Sequence, residues 1–599
     1  MAPAAWGQSA DDSGRIVQAG ISVSGAAADT VSPYAASLAN GARPPVFTDI
    51  PAEEAADVVS IGAAESLAPA IHDNGVPFHF PGPAFSGVFP PDPTIAVGPN
   101  SVIVAVNGEI AAYRKSGQRI WRISDSGPAG FFSDLDDDAE VPNFLTDPKI
   151  VYDATSGRFF FVYIGINDAF TQSVFLLAMS TSSDPQNTER FSVLNPSGAW
   201  AKFSNDSVIN GALSDYPSLA VDNESVYLTG NWFNTTTGQF TGTHIRVLDK
   251  SQFFIFPPPI ELNSFDNLDQ ITFDNEVTST LQPTVNYEPT DRQYFVSSQD
   301  PLFTGQPNFG DKLFVYWLEG RNPAADARRF QLDVTQLNSL GPYAFPGLVQ
   351  ARDSFPIDTL PLRLLNAVRV DNTIWCAHDV QDTLTGGVAC RWYRIGIINE
   401  SQVVLEDQGL ILNGAGSAWM PGICGNAFGD AVVFHSRASQ SEYASFYYSW
   451  RRHDDPPGLM RGPVLVKAGQ AGYDFFRWGD YCTPALDPTD QSTIWGFHEY
   501  ASSTGLWATE IVRVQLTFGP GGGGGGGQPC PSQLTVLQPN GGENLVTGTP
   551  QSIQWSFQGG NDDQIDILLV RGNQILGTIA SGVNAGNSAF SWRVGDPLL

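Results

Sequence analysis

Four aspartates occupy matching places in a short recurring motif, and carboxylates gathered that way can bind a cation, hold a sugar or move a proton. Asp92 and Asp147 immediately precede a proline, in Asp92-Pro-Thr-Ile-Ala-Val97 and Asp147-Pro-Lys-Ile-Val-Tyr152. Asp215 and Asp480 lie two residues before the proline or its substitute, and each is followed by a tyrosine, Tyr216 and Tyr481. Arg477 stands in the same stretch as the last pair, Arg477-Trp-Gly-Asp-Tyr481. Clustered carboxylate oxygens suit Ca²⁺, which makes Asp92, Asp147, Asp215 and Asp480 the candidate metal ligands. With Tyr216, Arg477 and Tyr481 they are also the candidate ligand-binding residues. The competing reading is that each aspartate accepts backbone N–H bonds within its own turn.

Other chemistry is thinly represented. The run Asp134-Leu-Asp-Asp-Asp138 with Glu140 lacks the glycine and the final glutamate of an EF-hand loop, and reads as a solvated acidic loop. Carboxylate pairs such as Asp379 with Asp382, or Asp454 with Asp455, would serve glycoside hydrolysis only if they met across a cleft. His378, His435 and His498 fall on expected second strands, where packing explains them. No Gly-x-Ser-x-Gly surrounds His435-Ser436, and the polyglycine lacks the Lys and Ser/Thr of a phosphate loop. Cys376 and Cys390 lie on two strands expected to neighbour each other and form a disulfide candidate; two buried free thiols are the alternative.

The elements that must position these residues are repeats. Beyond the two motifs already quoted come Tyr216-Pro-Ser-Leu-Ala-Val221, Gln282-Pro-Thr-Val-Asn-Tyr287 and weaker copies at Asn366, Pro421 and Cys482, making seven units. Each joins a short alternating strand to a second strand richer in aromatics through a turn of Asp, Asn, Gly, Ser or Pro. In the first unit, Val102-Ile-Val-Ala-Val106 meets Glu109-Ile-Ala-Ala-Tyr113 across Asn107-Gly108, a two-residue hairpin signal that calls for positive φ at both turn positions. Four strands per unit and seven units predict an all-β fold, a seven-bladed β-propeller of four-stranded blades. The longest insertion, residues 321–361, falls between the fourth and fifth units. The seventh unit is one strand short, and open edges are a liability, so a strand within 76–88 is expected to complete it.

The domain layout follows: a poorly ordered leader at 1–75, the propeller at 76–518, a Gly/Pro linker at 519–531, and a β-sandwich at 532–599 with Trp555 and Trp592 in its core. The 62 acidic against 31 basic residues give a formal charge of −31, which disfavours nucleic acid and anionic membranes as partners. No apolar run is long enough for a membrane span. Low Lys with much Thr, Asn, Gly and aromatic content suggests an extracellular or cell-surface setting, and a monomer is expected.

Asp147-Pro-Lys-Ile-Val-Tyr-Asp-Ala-Thr-Ser-Gly-Arg-Phe159, and Arg477-Trp-Gly-Asp-Tyr481 with Asp487-Pro488, resemble a group of secreted bacterial propeller proteins loosely labelled sialidase-like or neuraminidase-like, over about 85–516. Sialidase chemistry would ask for an arginine cluster, for which Arg363, Arg369, Arg437 and Arg477 are available, and a tyrosine nucleophile such as Tyr481. The Ser-x-Asp-x-Gly-x-x-Trp boxes of that family are not repeated among the blades, which speaks against the activity. The tail, Leu534-Thr-Val-Leu-Gln-Pro-Asn-Gly-Gly-Glu543 with Ile553-Gln-Trp555 and Phe590-Ser-Trp592, resembles the Ig-like domain of yeast cell-wall glucan-assembly proteins, here truncated. The resulting expectation is a recognition or adhesion protein that binds a glycan or an extracellular protein through propeller loops, with Trp232 and Tyr443 able to stack on sugars if exposed. The alternative is an extracellular carbohydrate-active enzyme, hydrolase or lyase, with its site at the channel mouth.

Overall fold

The computed structural model describes residues 78–516 apart from short stretches, the longest being 136–141, 301–308, 320–327 and 334–340, together with most strands of 533–593 and two short strands near the start. Seven blades of four antiparallel strands form the body of the molecule, and in blade 5 the short strand Val285–Asn286 adds a fifth, parallel to Asn366–Val370. Blade 1 runs Thr94–Val97, Ser101–Val106, Glu109–Arg114 and Arg119–Ser124. Blades 2 to 6 repeat this order, with inner strands Phe144–Asp153, Ala212–Val221, Gln282–Pro283, Asn366–Val370 and Ser417–Gly425. Among the described residues the helical content is one 3-10 turn, Lys250–Phe254.

Blade 7 supplies only Ala485–Leu486, Thr493–Ala501 and Trp507–Gln515, and the expected N-terminal strand completes it. Phe78–Ala84 pairs antiparallel with Trp507–Gln515, setting Phe80 opposite Ile511. His79 Nδ1 lies 2.6 Å from Glu510 Oε1, and Phe80 packs on Tyr113 of blade 1 at 5.4 Å between ring centroids. The closing strand thus ties the last blade to the first.

Inner strands are buried on both faces; Ala212–Val221 is buried at every position. Large aromatics fill the spaces between blades, each contributing about 1.5–3 kcal/mol by burial. Trp232 is one of them: it is fully buried and donates from Nε1 to Ser207 O at 2.7 Å, so it is not available to stack on a sugar. Tyr443 is half-buried under the Arg352 guanidinium, 4.6 Å from its ring centroid.

The recurring proline marks a bulge. Asp92, Asp147, Tyr216 and Met420, each just before its proline, have φ of 50°, 57°, 54° and 52°. In three of these blades strand pairing skips the two residues concerned, between Thr146 and Lys149, Asp215 and Ser218, and Trp419 and Gly422. A residue before proline is normally held extended, so the left-handed conformation is strained. Bulges of this kind re-aim side chains beside functional sites. The turn of blade 1 departs from expectation too: Gly108 has φ 95° but Asn107 is not among the positive-φ residues. Its side chain is engaged elsewhere, as described below.

Cys376 and Cys390 do not form a disulfide. Both are buried and free, and the register places Cys376 opposite Tyr393 and Cys390 opposite Asp379. That offset puts them on opposite faces of one sheet, in different cores: Cys376 packs with Tyr294 and Trp317, Cys390 with Trp392 and Phe434.

In the tail, Gln533–Gln538, Pro550–Gln558 and Ala589–Arg593 form one sheet and Gln564–Arg571 with Gln574–Asn584 a hairpin. Ile553, Trp555, Ile567, Ala580 and Trp592 share a core, with both tryptophans where expected. The linker at 519–531 lies outside the described residues. So does the leader at 1–75, except for Gly7–Ala10 paired with Ile16–Ala19.

Candidate functional site

A small cavity of about 50 Å³ lies on the propeller axis, lined by the inner strands of blades 1 to 5 and 7. At the end where the inner strands begin, Asp92, Asp147, Asp215 and Asp480 come together, along with Arg477, Tyr216 and Tyr481. Asp92 feels Asp480 and Asp147, and Asp215 feels Asp147, Arg363, Asp480 and Arg477. Four positions spread over nearly four hundred residues of sequence therefore form one electrostatic unit.

Several of these contacts stitch blade to blade. Asp92 Oδ1 accepts the Asp480 N–H at 2.7 Å, and its Oδ2 accepts from Asn107 Nδ2 at 2.7 Å. Asn107 Oδ1 accepts the Asp147 N–H at 2.9 Å, which is what commits its side chain across blades 1 and 2. Asp147 accepts from the Thr146 hydroxyl at 2.7 Å and from the Tyr216 N–H at 3.2 Å. Asp480 pairs with Arg477 Nη2. Among the described residues, none donates a hydrogen bond to the Asp215 carboxylate.

Burial dominates the protonation of this group. Desolvation, then repulsion from Asp480 and Asp147, pushes Asp92 well above the ordinary carboxylate range. Asp147 rises to about 6, through burial and then Asp480. Asp215 is raised well above its ordinary value by burial and then Asp147. Asp358, half-buried at the same mouth, rises to about 6 by burial. Burial opposes the charge of Arg477, but Asp480, Asp358 and Asp92 outweigh it and raise its pKa. The mouth therefore holds carboxyl groups of raised pKa beside one ion pair, a combination that can separate proton donor from charge stabiliser.

Sequence reasoning missed several members of this group. Lys149 follows the Asp-Pro of its motif, and a lysine inside an inner-strand apolar run was the available signal. Glu499, fully buried, accepts the Gly479 N–H at 2.6 Å. Arg363 lies with its guanidinium 5.0 Å from the Tyr216 ring centroid. Arg363, one of the arginines expected to be available for a cluster, stands two residues before the motif copy that begins at Leu365, whereas Asp358 sits near no motif copy. Of the other arginines considered, Arg437 pairs with Glu442 at 3.3 Å and Arg369 stands beside Tyr294.

The calcium candidates do not fit a cage. Oxygens of Asp92, Asp147 and Asp480 are already engaged by N–H, O–H and guanidinium donors. Among the described residues no group of three or more His, Cys, Asp or Glu side chains is arranged to hold a metal ion. Elsewhere, Asp134 pairs with Lys202 at 2.7 Å, while 136–138 and Glu140 lie outside the described residues. Asp379 accepts the Met420 N–H at 3.0 Å, Asp382 accepts from Thr385, and Asp455 pairs with Arg461, so these carboxylates serve local structure. His378, His435 and His498 are fully buried, as expected of packing residues.

The chain matches no family model and no curated protein. Among solved structures it is similar to an α-L-arabinanase of Penicillium chrysogenum, at 10% identity and a TM-score of 0.37, over 74% of this chain and 97% of that one. A polysaccharide lyase, an ulvan lyase of family PL25, gives 10% identity and a TM-score of 0.37 over 70% and 90%. A sialidase of Trypanosoma rangeli gives 10% identity and 0.33 over 62% and 54%. Likeness at this level carries no argument about this chain.

Proposed function

We propose that the chain is a carbohydrate-active enzyme, a hydrolase or lyase, working at the channel mouth. The observation that supports this reading is Asp215: a 5% exposed carboxylic acid, raised in pKa and without a hydrogen-bond donor among the described residues, close to the Asp480–Arg477 ion pair. In this reading Asp215 protonates the leaving-group oxygen, and the Asp480 carboxylate, oriented by Arg477, faces the positive charge that develops on the sugar. Asp92 and Asp147 act as positioning residues, since their oxygens hold neighbouring strands. Turnover on a panel of neutral and acidic glycans tests it. Asp215→Asn should lower kcat by about 10²-fold or more while leaving the fold intact, and wild-type protein without turnover on any glycan would sink the proposal.

A second reading is a recognition module that binds a glycan, or an extracellular protein, without cleaving it. It is favoured by the use of Asp92, Asp147 and Asn107 as ties between blades, which makes much of the polar cluster architectural. Specific glycan affinity with no turnover, unchanged by Asp215→Asn, is its signature. Both readings include an extracellular or cell-surface setting and an Ig-like tail, and cell fractionation tests the setting.

A further inference from the structure

Just inside the mouth, two residues past Asp147, the Lys149 side chain points into the central channel. It is 5% exposed, and its Nζ has no hydrogen-bond partner and no ion pair among the described residues. Its Nζ lies over the face of Tyr481, whose ring centroid is 2.9 Å away, with Tyr216 at 5.5 Å. A ring face attracts an ammonium but accepts no ordinary hydrogen bond. Three N–H donors are thus left to the cavity, and an uncompensated buried charge is costly.

The cavity wall offers little to accept them. Ser218 Oγ donates to Gln282 Oε1 at 3.1 Å, and Gln282 Nε2 donates onward to Leu364 O at 3.0 Å. The Asn366 side chain is spent on Ile423, donating and accepting. Thr483 donates to Thr94 Oγ1 at 2.9 Å, and the Ile150 N–H also points there at 3.4 Å, so the Thr94 hydroxyl proton is left over. The Gln282, Asn366 and Thr94 side-chain oxygens are thus already engaged. Burial lowers the Lys149 pKa to about 7 against the pull of Asp147, Asp92 and Asp480, none of which reaches its Nζ with a hydrogen bond, so a bound anion would hold the ammonium form.

We propose that the channel carries a binding site for a small monovalent anion, held by the Lys149 ammonium with the Thr94 hydroxyl. The site adjoins the acidic group at the mouth and uses Lys149 and Thr94, to which the proposed catalytic chemistry gives no role. A halide accepts from every direction and donates nothing, which matches a pocket with surplus donors better than water does.

Chloride, replaced by the bulky gluconate anion at constant ionic strength, is the probe. The full chain should melt at least about 2 °C higher in chloride, saturably, as expected when a ligand binds the native state alone. Its ³⁵Cl resonance should broaden, and bromide should reverse the broadening. Lys149→Met should lose both responses, and Thr94→Val should weaken chloride binding several-fold. Identical melting in chloride and gluconate, or a chloride response that survives Lys149→Met, would overturn the proposal. Should Lys149→Met fail to fold, the wild-type ³⁵Cl linewidth decides alone: no bromide-sensitive broadening means no site.

Discussion

Tyr216 of blade 3 and Tyr481 of blade 7 meet edge to face at the channel mouth, with ring centroids 5.6 Å apart and planes at 89°. Each hydroxyl reaches a carbonyl of another blade: Tyr216 donates to Asp480 O at 3.0 Å and Tyr481 to Pro148 O at 2.8 Å. Two side chains thereby link blades 2, 3 and 7 across the axis rather than around the ring.

Replacing either tyrosine by phenylalanine keeps the ring contact and strands a buried carbonyl. Each variant should lose about 1–3 kcal/mol in denaturant unfolding. The double variant should lose less than the sum if the pair acts as one unit, and strict additivity would show that the two hydroxyls work independently.

The closing strand makes a sharper claim. Deleting residues 78–84 exposes the edge of Trp507–Gln515, whose amides should then exchange with solvent at least tenfold faster than in the intact chain. Unchanged protection of those amides would mean that the ring does not depend on this strand.

Asp147 gives a pH dependence with a defined sign. In the unfolded chain it loses its proton near 3.8, in the folded chain near about 6. Between these values the native state holds the extra proton, so this stabilisation is complete below pH 3.8 and is lost as pH rises through 6. Asn mimics the protonated acid, so Asp147→Asn should remove this slope, worth on the order of 1–3 kcal/mol. Urea unfolding of both proteins at pH 4 to 7 is the measurement, and parallel curves would be the contrary outcome.

The cysteines offer a direct check on strand register. Cys376, Cys390, Cys424 and Cys482 are all buried and free. A thiol reagent should label none of these four in the native protein and all of them in denaturant without reductant. Protection of Cys376 and Cys390 under denaturing, non-reducing conditions would mean that the blade 5 register is wrong.

The proline motif made the blades legible because alternating apolar residues and turn residues are local signals. The missing strand of blade 7 was legible by subtraction. Asp92, Asp147, Asp215 and Asp480 could be gathered in advance because equivalent positions in a closed ring face one axis. What sequence could not supply was the left-handed bulge at Asp92 and Asp147, since a residue before proline ordinarily avoids that conformation. Nor could it supply the three-residue offset that separates Cys376 from Cys390, because register depends on the turn between their strands. Asp358 reaches the mouth from an insertion whose path no repeat dictates.

Ring closure also sets an order of events during synthesis. The contact between His79 and Glu510 spans 431 positions, which a ribosome adding roughly 5–20 residues per second covers in about 20 to 90 s. For that time the strand Phe78–Ala84 is made but has no partner. The first part of the propeller to leave the ribosome is therefore the last to be zipped in, and during that interval its exposed backbone must be kept from pairing with neighbouring nascent chains.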